Sequence, residues 1–186
     1  MNSRSKGFFE WIKIFVIAFL IALFVRTFIY SPIIVDGRSM QPTLNDRDQM
    51  IVNKFIYYFK EPERFDIVIF HASNDKDFIK RVIGLPGEHI KVENNVLYVN
   101  GKEVAQPFLE QTSSEEVVYP IITSDFTLER LPGNYDVIPD GYVLVLGDNR
   151  NDSTDSRDLG LIPIDEIVGK TNLIYWPPNR IQIIKE

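Results

Sequence analysis

The sequence predicts a mainly β domain behind one N-terminal transmembrane helix, and three observations lead there. Ile14 through Val25 is an unbroken apolar run of twelve residues, flanked by Lys13 and Arg26. After it, the apolar residues fall into short runs rich in Val, Ile, Phe and Tyr, bounded by Pro, Gly, Asn or Asp, which is strand-and-turn chemistry. No stretch beyond that run keeps a 3.6-residue apolar period over three turns. At 186 residues the chain holds one core, or one core with a small insertion.

The first element is the anchor. At ~1.5 Å per residue the apolar run alone falls short of a ~30 Å hydrocarbon layer. The expected span therefore runs from about Phe8 to Ile29 or Tyr30, with Lys13 and Arg26 reaching to the headgroups and Phe8, Phe9, Trp11 and Tyr30 at the interfaces. A cleaved signal peptide has a similar pattern, but Thr27-Phe28-Ile29-Tyr30-Ser31-Pro32 offers no pair of small residues for cleavage. A buried core helix is the other alternative; a helix apolar on all faces suits lipid better. Residues 1–30 carry a net charge of +3 and the remainder −9 of the overall −6. The positive-inside rule then places residues 1–7 in the cytoplasm, 8–30 in the plasma membrane and 31–186 outside it.

Strands follow at Met50–Phe55, Asp66–Phe70 and Phe78–Ile83, the last stopped by Gly84-Leu85-Pro86-Gly87. Ile90–Val104 reads as a meander turning at Asn94-Asn95 and Asn100-Gly101. Tyr142–Leu146 and Ile167–Trp176 complete the set, the second closed by Pro177-Pro178. Residues 105–141 differ, with Pro107, Pro120, Pro132 and Pro139 and a polar patch at 112–116. They read as an insertion or flap, or as a long irregular connection.

Composition excludes several functions. The chain has no cysteine, hence no disulfide, thiolate metal site or cysteine nucleophile. An acidic domain without a basic patch argues against nucleic acid as a partner. His71 and His89 lack the paired spacing of a zinc site, and the Asp-rich stretch from Asp148 departs from a calcium loop at its third and sixth positions, Arg150 and Ser153. A Ser-His-Asp triad through His89 is chemically conceivable. No cofactor or metal is called for.

Three segments carry the chemistry. Ser39 follows the apolar Ile33-Ile34-Val35 in Ser39-Met-Gln-Pro-Thr43, where Gly37 permits close backbone approach, Pro42 fixes a turn, and backbone amides can form an oxyanion hole. Alone, Ser39 reads as a turn serine. Lys80 sits in an apolar run of Phe78, Ile79, Val82 and Ile83; alone, Lys80-Arg81 reads as a solvated edge pair. Together they make the two halves of a nucleophilic pair. A serine hydroxyl needs a base, and a lysine is that base only when burial lowers its pKa. The third segment, Gly147 to Gly160, directly follows a strand and offers Ser153 to hold the amine and an Asp155–Arg81 or Asp155–Arg157 pair to brace the site. Met40 and Leu44 are candidates for resting on the bilayer beside the nucleophile.

These segments, in this order with Arg64-Phe-Asp-Ile-Val-Ile-Phe70 between the first two, resemble the bacterial type I signal peptidases of the Gram-positive type, peptidase family S26, over essentially the whole chain. The resemblance implies a coiled, barrel-like β catalytic domain behind one anchor. It implies Ser39 as nucleophile, Lys80 as general base, Ser153 orienting the lysine and Asp155 supporting the site, with Asp148, Arg81 and Arg157 structural. Preproteins bearing signal peptides are the implied substrates. Some relatives carry an oxyanion-donating serine two residues before the nucleophile; here that position is Gly37. Two rival readings are a self-cleaving Ser-Lys regulator and an inactive membrane-tethered scaffold. The first would usually carry a DNA-binding domain, where this chain has the apolar segment. The second predicts loss of Ser39 or Lys80, and both are present.

Overall fold

The structure, a computed structural model, describes residues 3–73, 76–110 and 122–184. A 22-residue helix, α1 (Ser3–Phe24), continues into a π-helical turn, Val25–Ile29. Trp11, Phe15, Phe19 and Phe24 on it are all more than half exposed. Among the described residues no helix is long and apolar enough to cross a membrane. Within α1 an exposed Lys13–Glu10 pair, 3.1 Å apart, precedes the continuously apolar part that starts at Ile14. The single anchor expected from the sequence is therefore not established by the helix.

Among the described residues twelve strands follow, paired antiparallel throughout. β1 (Tyr30–Ile34), β2 (Gln49–Asn53), β3 (Ile67–Ser73), β4 (Lys76–Gly84), β9 (Tyr142–Leu146), β10 (Ile162–Pro163), β11 (Ile167–Trp176) and β12 (Gln182–Ile183) form one sheet. Its order is β1-β2-β11-β3-β4-β9-β10, with β12 on β11. β5 (Ile90–Glu93), β6 (Val96–Val99), β7 (Lys102–Val104) and β8 (Phe126–Thr127) form a second, in the order β7-β6-β5-β8. The meander turns form where the sequence places them. Asn94, Asn95, Asn100 and Gly101 all have positive φ, the condition for two-residue hairpin turns that match the strand twist.

The described parts of 105–141 belong to the core of the second sheet. Phe108 on the short helix α2 (Pro107–Glu110), Phe126 on β8, and Leu128, Leu131 and Ile138 pack with Ile83, Leu144 and Leu146 of the large sheet. The polar patch at 112–116 and Pro120 lie outside the described residues.

A second cluster, Val35, Met40, Leu44, Met50, Ile67 and Ile174, fills the space under the loop between β1 and β2. Met40 and Leu44 are 2% and 0% exposed. They do not rest on a bilayer; they hold the loop down, at about 1.5–3 kcal/mol for each fully buried side chain.

Candidate active site

Ser39 lies on the loop from Val35 to Asp48, which is closed at its base by Val35 N–H donating to Asp48 O (2.8 Å) and Arg47 N–H to Val35 O (2.8 Å). Lys80 lies in the middle of β4, opposite Val68 of β3. The two meet across 41 positions of sequence, with Lys80 Nζ 2.8 Å from Ser39 Oγ. Nζ also donates to Ile79 O (3.0 Å) and lies 4.9 Å from the centre of the Phe78 ring. Lys80 is only 3% exposed. Burial pushes its pKa down to about 8, although Asp155 and then Asp148 pull upward. A neutral amine hydrogen-bonded to a serine hydroxyl is therefore accessible near neutral pH, where a free lysine is almost wholly protonated.

Ser153 is placed beside Gly147 and the Ser39 backbone, without the expected bond to the lysine. Its Oγ is buried and has no hydrogen-bond partner of good geometry among the described residues. The Ile79 carbonyl takes the second hydrogen bond of the amine instead. Gly147, at the end of β9, explains the close approach. A Cβ there would run into Ser153 Oγ and the Ser39 carbonyl oxygen. The sequence assigns Gly147 no role of its own beyond its position directly after a strand.

The two remaining acids divide the arginines between them. Arg81 faces Leu146 in the β4–β9 pair, so Asp148, two residues further on, falls within its reach. Nε donates to Asp148 Oδ1 (2.9 Å) and Nη2 to Oδ2 (2.6 Å), and both side chains are fully buried. Asp155 takes Arg157, by Nε (2.8 Å) and Nη2 (2.9 Å), together with Gly147 N–H (2.9 Å). Of the two Asp155 pairs read from sequence, the structure forms the one with Arg157, because Arg81 is already committed to Asp148. Burial works to raise the Asp155 pKa, but the hydrogen bonds from Arg157 and Gly147, with the Arg157 charge, outweigh it and hold the carboxyl below its ordinary range; the nearby Ser153 hydroxyl adds weakly. Asp155 also caps the short helix α3 (Ser156–Leu159). An ionised Asp155 and the Asp148–Arg81 pair thus fix both segments that border the Ser39–Lys80 contact.

Thr43 and Arg150 take roles that the sequence did not assign them. Thr43 Oγ1 donates to Asp148 Oδ2 (2.6 Å), tying the Ser39 loop to the buried pair. Arg150, 2% exposed, donates to Gly147 O (2.9 Å), Thr123 Oγ1 (2.9 Å) and Gln106 Oε1 (2.6 Å). Burial lowers its pKa to about 10, against the pull of Asp148 and Asp155. Neither residue type announces such a role without the fold.

For the oxyanion, Gly37 is excluded as a donor: with φ +97°, its N–H is bound to Asp46 Oδ1 (2.9 Å). The Ser39 N–H, in contrast, donates to no described residue. The histidines lie elsewhere. His71 pairs with Asp77 (2.6 Å) and His89 with Glu129 (2.9 Å), and neither partners Ser39.

A groove of about 540 Å³ leads to Ser39 and Lys80, with Ile33, Ile34 and Val35 on one wall and Phe78 and Ile79 on the other. Both walls expose strand edges. Among the described residues β1 ends the large sheet, and β9 pairs with β4 only from Arg81 onward, so Lys76–Lys80 have no described strand neighbour on that side.

Known proteins resemble this chain in sequence and fold. The family described as signal peptidase, peptidase S26, matches residues 8–176. Signal peptidase I of Bacillus caldolyticus is 45% identical over 161 residues, 87% of each chain. Signal peptidase I T of Bacillus subtilis (strain 168) is 40% identical over 187 residues, covering 99% of this chain and 93% of the relative. A crystal structure of a signal peptidase I from Enterococcus faecalis V583 is 37% identical, with a TM-score of 0.51, and covers 60% of this chain and 97% of its own. The class so defined is that of serine peptidases, hydrolases of peptide bonds. The chain belongs to the signal peptidase family, peptidase S26, as its sequence motifs implied.

Proposed function

We propose that this chain is a membrane-anchored endopeptidase that removes N-terminal signal peptides from exported preproteins with Ser39 as nucleophile and Lys80 as general base. The observation that carries the reading is the 2.8 Å contact between Ser39 Oγ and a buried Lys80 whose pKa is lowered to about 8. Neutral Lys80 takes the hydroxyl proton as Oγ attacks the scissile carbonyl carbon. The Ser39 N–H faces the developing oxyanion. As the tetrahedral intermediate collapses, protonated Lys80 returns the proton to the leaving amine, and the signal peptide stays as an ester on Ser39. A water molecule, deprotonated by Lys80, then attacks the ester and releases the second product. Ser153, with its unpartnered buried hydroxyl, is the group available to orient the amine once Nζ has given up its proton. Asp155 and the Asp148–Arg81 pair hold the surrounding backbone.

The two exposed strand edges support docking of an extended peptide by strand pairing. Subsites in this groove, which Ile33 and Phe78 line, are expected to take small side chains at −1 and −3. A preprotein with Ala at both positions is expected to be cleaved, and Leu or Phe at −1 to be progressively rejected, since each extra methylene costs about 1–3 kcal/mol. Ser39→Ala is expected to lower cleavage by roughly 10⁴–10⁶-fold. An active, folded Ser39→Ala enzyme would refute the nucleophile, and equal cleavage of Ala and Phe substrates would refute the pocket.

The anchor remains part of this proposal, supported by the exposed apolar face of α1 and by the net +3 of residues 1–30. The aromatic loop Phe55, Tyr58 and Phe59 supports it too: all three are exposed, and Lys54 N–H bonds the Ile29 carbonyl (2.9 Å), placing the loop beside the end of the helix. Protease added to intact spheroplasts is expected to digest residues 31–186. Full protection with an intact membrane would reverse the orientation.

A further inference from the structure

The family match stops at Trp176, and the last strand that the sequence predicts closes there too, at Pro177-Pro178. The structure puts the remaining residues to use. After Trp176 the chain makes a 3₁₀ turn, Pro178–Arg180, and returns along β11 as β12, with Leu173 opposite Ile183 and Ile184 N–H bonded to Asn172 O (2.7 Å). This return delivers Arg180 to the base of the Ser39 loop. Its guanidinium forks onto Asp48, Nε to Oδ1 and Nη2 to Oδ2, each at 2.8 Å, and Nη2 also reaches Thr43 O (3.4 Å). Asp48 is 1% exposed and its Oδ2 accepts the Asn45 N–H (2.8 Å) as well. Ile184 adds an apolar hold by packing on the cluster that contains Met40, the residue next to Ser39.

The Ser39 loop is thus gripped from two sides through one residue. Thr43 gives its hydroxyl to Asp148, on the Lys80 side, and its carbonyl to Arg180, on the tail side. Without the tail grip the loop keeps its backbone closure and its Asp148 contact, so it stays folded but gains freedom along the direction in which Arg180 holds it. The reacting geometry is sensitive on this scale: a displacement of about 1 Å can cost on the order of 10²-fold in rate.

We infer that the C-terminal segment 177–184 is a brace for the nucleophile loop, and that Arg180, acting through Asp48 and Thr43, is a positioning residue for Ser39. The inference rests on Ser39 being the nucleophile. It concerns the rate of the chemical step rather than substrate affinity, because the groove walls belong to β1 and β4 and not to the tail. The bidentate fork matters as well as the charge, since a lysine supplies a point charge and cannot hold both carboxylate oxygens and the carbonyl in one plane.

The test uses the full-length protein in detergent micelles with a preprotein substrate. Arg180→Ala is expected to keep a folded far-UV spectrum, to lower kcat by about ten- to a hundredfold, and to leave KM within about twofold. Millimolar guanidinium chloride is expected to restore part of the lost kcat in Arg180→Ala and none in Ser39→Ala, which a general loss of stability would not produce. Arg180→Lys, which keeps the charge, covers the case in which the alanine variant does not fold, and it too is expected to lose kcat. A folded variant with wild-type kcat overturns the brace, and so does a rise in KM at unchanged kcat. If Ser39→Ala is itself active, the nucleophile assignment has failed. If Ser39→Ala is inactive while Arg180→Ala and Arg180→Lys are fully active, only the brace has failed.

Discussion

Lys80→Arg is expected to be as inactive as Lys80→Ala, with turnover reduced by at least about 10²–10⁴-fold, the range a general base carries. Arginine preserves the charge and much of the stem, but it stays protonated in proteins and accepts nothing from Ser39. If Lys80 served only as an ion-pair residue, arginine would rescue. The pH–rate profile separates the two roles further. With its pKa lowered to about 8 by burial, the neutral, active form of Lys80 is present in about a tenth of molecules at pH 7 and dominates above pH 8. Activity is therefore expected to rise with pH through this region and to fall below it. Docking a peptide in the groove removes more water from the amine and shifts the limb to lower pH for kcat than for kcat/KM. A folded, active Lys80→Arg enzyme, or a limb near the ~10.4 of free lysine, would reject the mechanism.

Asp148→Ala is expected to produce the largest loss of stability from a single change near the site. It leaves Arg81, 0% exposed, as a buried cation without its carboxylate, and it removes the acceptor of Thr43 Oγ1. Breaking such a pair costs about 3–5 kcal/mol, a large share of the ~5–15 kcal/mol that holds a domain together. The measurement is the urea midpoint at constant slope. A loss below about 1 kcal/mol would mean that Arg81 finds other partners; among the described residues the Phe65 carbonyl (2.9 Å), the Thr43 hydroxyl (3.5 Å) and the Phe108 ring, whose centre is 4.0 Å from the guanidinium carbon, are already in place. Replacing both partners by apolar residues, Arg81→Met with Asp148→Leu, is expected to recover part of the stability. It is not expected to recover activity, because Thr43 no longer ties the Ser39 loop to the Lys80 side.

Much of the β architecture can be read from local chemistry. Each of the runs at Met50, Asp66, Phe78, Ile90, Tyr142 and Ile167 becomes a strand within a few residues of its expected ends, because β-branched and aromatic residues between turn formers have little else to do. The two-residue strands β8, β10 and β12 carry no such signal; they exist because neighbouring strands present edges to them. The same holds for 105–141, whose prolines suggest an irregular connection. What that pattern does not disclose is that Phe108, Leu128 and Ile138 close a core built by β4, β5 and β9.

Within the site the division is sharper. The residue types and their order already determined which side chains can do chemistry: a serine at a Pro turn, one lysine in an apolar strand, and an acid-rich loop after a strand, in a chain without cysteine or paired histidines. Tertiary structure alone decided the pairings. Arg81 belongs to Asp148 and not to Asp155 because strand register sets Arg81 against Leu146. Ser153 comes close to the Ser39 backbone because Gly147 carries no side chain, and it makes no bond to Lys80, whose amine contacts Ser39 Oγ and Ile79 O. Arg180 matters because a chain return carries it back over the Ser39 loop. The physical reason is common to all three. Residue identity fixes what a group can donate, accept or ionise, whereas distance and burial, which decide whether it does, are set by contacts between residues tens of positions apart, and local pattern does not encode them.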